Sequence, residues 1–99
     1  MEKQYYNLVF VKHENNEKNY LFQAPMQNRL KAGEKVFVDT IQGESMGECK
    51  SDSFIVDNFT AEQIISGTRA YKPIKDVIGY AEKQTGYRCV YFGLIDCPF

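Results

Sequence analysis

Glu44, Glu48 and Asp52 recur at intervals of four residues, and paired carboxylates are the material of general acid–base chemistry when a partner base stands beside them. Here they flank turns and have no such base. They read instead as solvated strand faces or, together with Asp57, as a negatively charged surface for contact with another protein. His13 is the one histidine, and Cys49, Cys89 and Cys97 are spaced by 40 and 8 residues, which matches no metal or redox motif. Structural zinc needs ligand pairs at close spacing, and none is present. Cys49 and Cys89 lie in apolar or strand contexts and are read as small, reduced core residues. There is no Gly-rich phosphate loop and no Gly-x-Ser-x-Gly elbow. No catalytic residue, metal ligand or cofactor is therefore assigned, and a hydrolase or metal enzyme has no positive support.

A second set of residues suits a different chemistry. From Arg69 to Arg88 the chain carries Arg69, Lys72, Lys75, Lys83 and Arg88 against two acidic groups, interleaved with Tyr71, Tyr80 and Tyr87. Cations follow a phosphate backbone, and exposed aromatic rings stack on bases. Tyr71, Lys72, Lys75, Tyr80, Tyr87 and Arg88 are thus the candidate nucleic-acid contacts. The same composition also makes an ordinary solvated face, and any single Tyr is more readily a core residue. Tyr5, Tyr6, Tyr20, Tyr71, Tyr80 and Tyr87 cannot all be buried at low cost, because each hydroxyl needs a partner. Between Asp39 and Glu62 the balance reverses, with six carboxylates against Lys50. The expectation is a sheet with a carboxylate-rich side and a separate tyrosine-and-cation side.

The elements that must hold these groups follow from composition and turn chemistry. Ninety-nine residues, 43% hydrophobic and 25% charged, fit a single domain over 1–99 that buries about 60–65% of its unfolded surface. A net charge of −1 gives no overall attraction to a polyanion. No apolar run approaches the roughly 20 residues that cross a bilayer, and the first residues lack the apolar stretch of a secretory leader. A cytoplasmic location is expected. Tyr5–Val11 and Tyr20–Ala24 are aromatic and β-branched segments joined by the turn-prone 15–19, and Pro25 stops the second. Val36–Ile41 follows Gly33, a residue suited to positive φ. Ser45–Lys50 reads as a further strand, and Asp52–Val56 as its resumption after a bend or as a short fifth strand.

Phe59-Thr60-x-x-Gln63-Ile64 has the spacing of a capping box with a hydrophobic staple, predicting a short helix near residues 60–67. Pro73–Lys83 has helical spacing at Ile74, Val77, Ile78 and Ala81, but Gly79 would cost about 1 kcal/mol in a helix interior, and strand is preferred. Tyr87–Phe92 closes the domain. The resulting class is mainly β (α+β), a small curved antiparallel sheet or barrel of 5–6 strands with one helix.

Tyr20-Leu21-Phe22-Gln23-Ala24-Pro25, then Leu30-Lys31-Ala32-Gly33-Glu34-Lys35-Val36-Phe37-Val38-Asp39-Thr40, Gly43 and Gly47-Glu48-Cys49 carry a family resemblance. Over roughly Tyr5 to Tyr80 the chain resembles small uncharacterised proteins of phages and mobile elements of Gram-positive bacteria. More distantly it resembles the N-terminal DNA-binding barrel of the primosomal replication-restart helicase. Lys72-Pro73-Ile74-Lys75-Asp76-Val77-Ile78-Gly79 is similar to a later motif of the phage group. The resemblance implies a compact barrel and no reaction. The function expected is a non-enzymatic accessory protein that binds a nucleic-acid-processing protein or nucleoprotein complex through Glu44, Glu48, Asp52 and Asp57. One form of this is an inhibitor of a host defence nuclease, of anti-CRISPR type. The alternative is direct binding of single-stranded or structured nucleic acid. Exposed strand edges leave the oligomeric state open.

Overall fold

Alternation decides the architecture, because every second residue of a strand faces the same side. In the computed structural model, which describes residues 4–13, 17–68, 74–83 and 85–92, the elements are β1 (Tyr5–His13), β2 (Asn19–Ala24), β3 (Lys35–Thr40), β4 (Gly43–Cys49), β5 (Phe54–Asp57), α1 (Asn58–Thr68), β6 (Val77–Lys83) and β7 (Tyr87–Tyr91). The strands make one antiparallel sheet in the order β2-β1-β4-β3-β6-β7, with β5 on β1.

Among the described residues there are seven strands where five or six were expected. The difference lies at the bend after Cys49. β4 pairs with the C-terminal part of β1 (Val11 opposite Cys49) and β5 with its N-terminal part (Tyr6 opposite Val56). Residues 50–53 break the ladder between them. Hydroxyls repair the break: Phe10 N–H donates to Ser51 Oγ at 3.2 Å, and Leu30 N–H donates to the buried Ser53 Oγ at 2.9 Å. Both sequence readings of this segment, a resumed strand and a fifth strand, describe part of what forms.

The sheet curves without closing into a barrel. Across the gap between edge strand β2 and the approach to β6 there is a single parallel bridge, Gln23 to Asp76. Gln23 N–H donates to Lys75 O at 3.0 Å, and Asp39 N–H donates to Asp76 O at 2.9 Å. This seam brings β2, β3 and the start of β6 together.

Two cores lie on opposite sides of the sheet. The inner face buries Val9, Val11, Phe22, Ala24, Val36, Val38, Cys49 and Val77 with Leu30. On the outer face Tyr6, Leu8 and Leu21 pack under Ala61 and Ile65 of α1, with Ile74. Full burial of each Val or Leu contributes about 1.5–3 kcal/mol, so both layers matter to a chain of this size. The helix lies over the β1, β2 and β5 part of the outer face. The outer face of β3, β4, β6 and β7 has no helix over it among the described residues.

α1 starts two residues before the expected position, and its cap differs. Thr60 N–H donates to Asp57 Oδ1 at 2.7 Å, so Asp57 is the N-cap, a contact worth about 1 kcal/mol. Phe59 is 54% exposed, and no staple to Ile64 forms. Because β5 runs directly into α1, the last strand residue has to cap the helix. Gly33, at φ 94°, makes the turn before β3. The strand preference for the segment ending at Lys83 holds from Val77 onward. There Gly79 does not mark a weak helix; it allows a close approach, since a Cβ would lie 2.7 Å from Cys89 Sγ and nearer still to the Val90 carbonyl oxygen.

Candidate functional site

The uncovered outer face is built by register. On β3, Lys35, Phe37 and Asp39 alternate with the buried Val36 and Val38. On β4 they stand opposite Glu48, Met46 and Glu44. Phe37 is also opposite Gly79 of β6, and Gly79 is opposite Tyr91 of β7. Ala81 faces Cys89 and Lys83 faces Tyr87. The result is a band with a half-buried apolar middle of Phe37, Met46, Ala81 and Cys89, carboxylates at one end and lysines at the other.

At the carboxylate end, the Tyr91 hydroxyl donates to Glu44, with Oε1 at 2.6 Å and Oε2 at 2.8 Å. The bond to Glu44 raises the Tyr91 phenol above its usual pKa, since ionisation would set two negative charges together. Tyr91 is nevertheless 62% exposed. Its ring is therefore held in one position while still open to a partner. Asp39 stands beside Glu44 in the register. At the other end, Lys35 Nζ lies 5.1 Å from the centre of the Tyr87 ring, a cation–π contact. Lys12 is opposite Glu48, and Lys50 Nζ lies 2.8 Å from Glu48 Oε2. Lys50 first, and more weakly Lys35 and Lys12, hold the Glu48 carboxyl below its ordinary range.

The predicted acidic set is therefore divided. Glu44 and Glu48 share the outer face, at opposite ends of β4, and Glu48 is neutralised by its lysine neighbours. Asp52 and Asp57 serve the backbone: Ala32 N–H donates to Asp52 Oδ1 at 2.9 Å, and Asp57 caps α1. The predicted nucleic-acid set is divided as well. Tyr80 is half-buried on the inner core, edge-to-face with Phe92 at 4.8 Å. Arg88 pairs with Glu82 at 3.1 Å, and both stand at positions of the same parity as Tyr80, away from Tyr87. Lys75 is exposed in the segment before β6, and its carbonyl accepts the Gln23 N–H. Tyr71 and Lys72, with Arg69, lie outside the described residues. The expected separation into a carboxylate side and a tyrosine side is not what forms, because Glu44, Glu48, Tyr87 and Tyr91 occupy one face.

No family model, curated protein or solved structure matches this chain. The site thus rests on its own geometry. Among the described residues no three His, Cys, Asp or Glu side chains converge to hold a metal ion. His13 Nδ1 lies 3.4 Å from Ser45 Oγ, and its ring stands against Tyr20 and Phe22, the surroundings of a packing residue. Cys49 is buried, and burial, with Glu34 and Glu48 adding to it, pushes its thiol up to about 12. Cys89 is half-buried, and burial followed by the charge of Glu44 raises its thiol as well. Neither is an activated nucleophile, and Cys97 lies outside the described residues. Tyr91 is the residue that sequence reasoning passed over. The alternation in Tyr87-Arg88-Cys89-Val90-Tyr91 was sufficient to place it on one face with Tyr87.

Proposed function

We propose that this chain is a non-catalytic binding module whose ligand is another protein, engaged through the outer face of β3, β4, β6 and β7. The observation that carries the reading is Tyr91, an exposed ring fixed by both oxygens of Glu44 beside the half-buried Phe37 and Met46. Interface energy concentrates in pre-positioned aromatic anchors with an apolar surround and a polar rim, and this face has those parts. Because Asp39 and Glu44 flank the anchor, the partner surface it fits is cationic. The basic groove of a nucleic-acid-processing protein is such a surface, and occupying it would make the chain an inhibitor of that protein, the role expected from the sequence.

Binding of a purified, groove-bearing nuclease by calorimetry tests the reading. Tyr91→Ala should weaken the complex about 30-fold or more. Glu44→Lys should weaken it too, with a shallower salt dependence. Equal affinity for wild type and Tyr91→Ala would refute the site. A second reading, direct nucleic-acid binding, is favoured by the lysine end, where Lys35 lies over the Tyr87 ring and Lys83 stands opposite Tyr87. Fluorescence anisotropy with short DNA and RNA separates the two. Binding that is lost in Tyr87→Ala and falls steeply with salt supports the second, and no binding at low salt removes it.

A further inference from the structure

β7 ends the path of the sheet, and no described strand pairs with its far edge. Phe92 N–H donates to Ile78 O at 2.9 Å, and Phe92 stands opposite Ile78 when the β6–β7 register is continued by one residue. Bonded and non-bonded pairs alternate along an antiparallel ladder. Val90 with Tyr80 and Arg88 with Glu82 are therefore the next bonded pairs. The N–H and C=O groups of Tyr87, Cys89 and Tyr91 turn away from β6, toward the open edge.

We propose that β7 pairs with β7 of a second copy of this chain, antiparallel about a twofold axis at Cys89, to form an isologous dimer. Among twofold axes along this strand, only the one at Cys89 pairs all three edge-facing residues, setting Cys89 against itself and Tyr87 against Tyr91 of the second copy. Side chains agree with the backbone. Tyr87 and Tyr91, 40% and 62% exposed, become direct cross-strand neighbours, and aromatic pairs are among the better contacts of this kind. Charge agrees too. On the outer face, Lys35 and Lys83 stand at the Tyr87 end, and Asp39 and Glu44 at the Tyr91 end. The twofold axis brings the lysine end of each copy toward the carboxylate end of the other. An edge left open in this way is also a template for less specific pairing, which a closed dimer prevents. The backbone bonds of the dimer lie on the strand edge, whereas its Tyr87–Tyr91 contact borders the face assigned to the protein partner; Cys89→Pro disrupts the edge and leaves Tyr91 in place, so either proposal can fail alone.

The test combines sedimentation with amide hydrogen exchange followed by NMR on the full-length chain, from low to high micromolar concentration. Sedimentation should show a reversible rise from 11.5 kDa to twice that mass, weakened by added salt. Over the same range the amides of Tyr87, Cys89 and Tyr91 should slow in exchange, while those of Arg88 and Val90 stay protected throughout. Cys89→Pro removes an N–H that β6 does not use, a change tolerated on an edge strand, and should raise the dimer dissociation constant at least about tenfold. Monomer at every concentration would overturn the proposal. So would a dimer in which those three amides exchange as fast as in the monomer, which would place the contact elsewhere.

Discussion

The Tyr91 hydroxyl bonded to both oxygens of Glu44 makes one side chain depend on the charge of another. Ionising the phenol would lose the hydrogen bond and leave two anions in contact, so the ring should titrate above its ordinary value near 10. In Glu44→Gln the repulsion is gone, and the Tyr91 pKa should fall back toward that value. NMR titration of the ring carbons in both proteins checks this, and identical curves would show that the pair does not persist in solution. Asp52 and Asp57 show how a carboxylate that looks available in sequence is used locally. Both Asp57-x-x-Thr60 and Thr60-x-x-Gln63 satisfy capping chemistry, and no local rule chooses between them. The pairing of Tyr5 with Asp57 decides, because it extends β5 to the first residue of the helix. That contact is 52 positions away in the chain and has no local signature.

Among the elements, the seam between β2 and β6 carries the most distinctive chemistry. Asp76 is half-buried there, with its Oδ1 buried and unpartnered. Burial raises its pKa most, the charge of Asp39 adds to this, and a hydrogen bond from Gln23 and the charge of Lys75 oppose it. A carboxyl whose pKa is raised on folding favours the folded state when protonated. Its contribution is fully present below its ordinary value of 3.8 and is lost as pH rises through the raised one. Asp76→Asn keeps the shape without the charge. It should therefore be more stable than wild type at pH 7, and the difference should shrink as the pH is lowered toward 4. Paired thermal melts across that range measure it, and a difference independent of pH would mean that the carboxylate is not strained. Gln23 and Asp76 stood in the sequence in two separate segments read as strands, with nothing local to bring them together. Their meeting follows from the curvature of the sheet, a sum of small twists that no local pattern contains.

For the whole molecule, the mainly β class, the Gly33 turn and the strand character of Val77–Lys83 were legible because alternation and turn chemistry are local. The division of the outer face was harder to read. Whether Tyr80 or Tyr87 faces the solvent depends on register, and a one-residue slip exchanges the two faces. The residue that anchors the register is Gly79, opposite both Phe37 and Tyr91. A glycine there reads from sequence as a weak point, and in the fold it is where β6 and β7 approach too closely for a side chain.

Cys49 is fully buried between β1 and β3, with its thiol pushed up to about 12. The thiolate is the form that attacks thiol reagents, so this sulfur can be modified only when the sheet comes apart. The chain thus carries an internal recorder of its own unfolding. In a Cys97→Ser background, an aromatic disulfide reagent should consume Cys89 first. Cys49 should follow at a rate scaled by the open population, on the order of 10⁻⁴ or less for a domain of ordinary stability. Urea should speed the slow reaction with the full slope of global unfolding, and a Cys49 that reacts alongside Cys89 would show that the inner layer opens piecemeal.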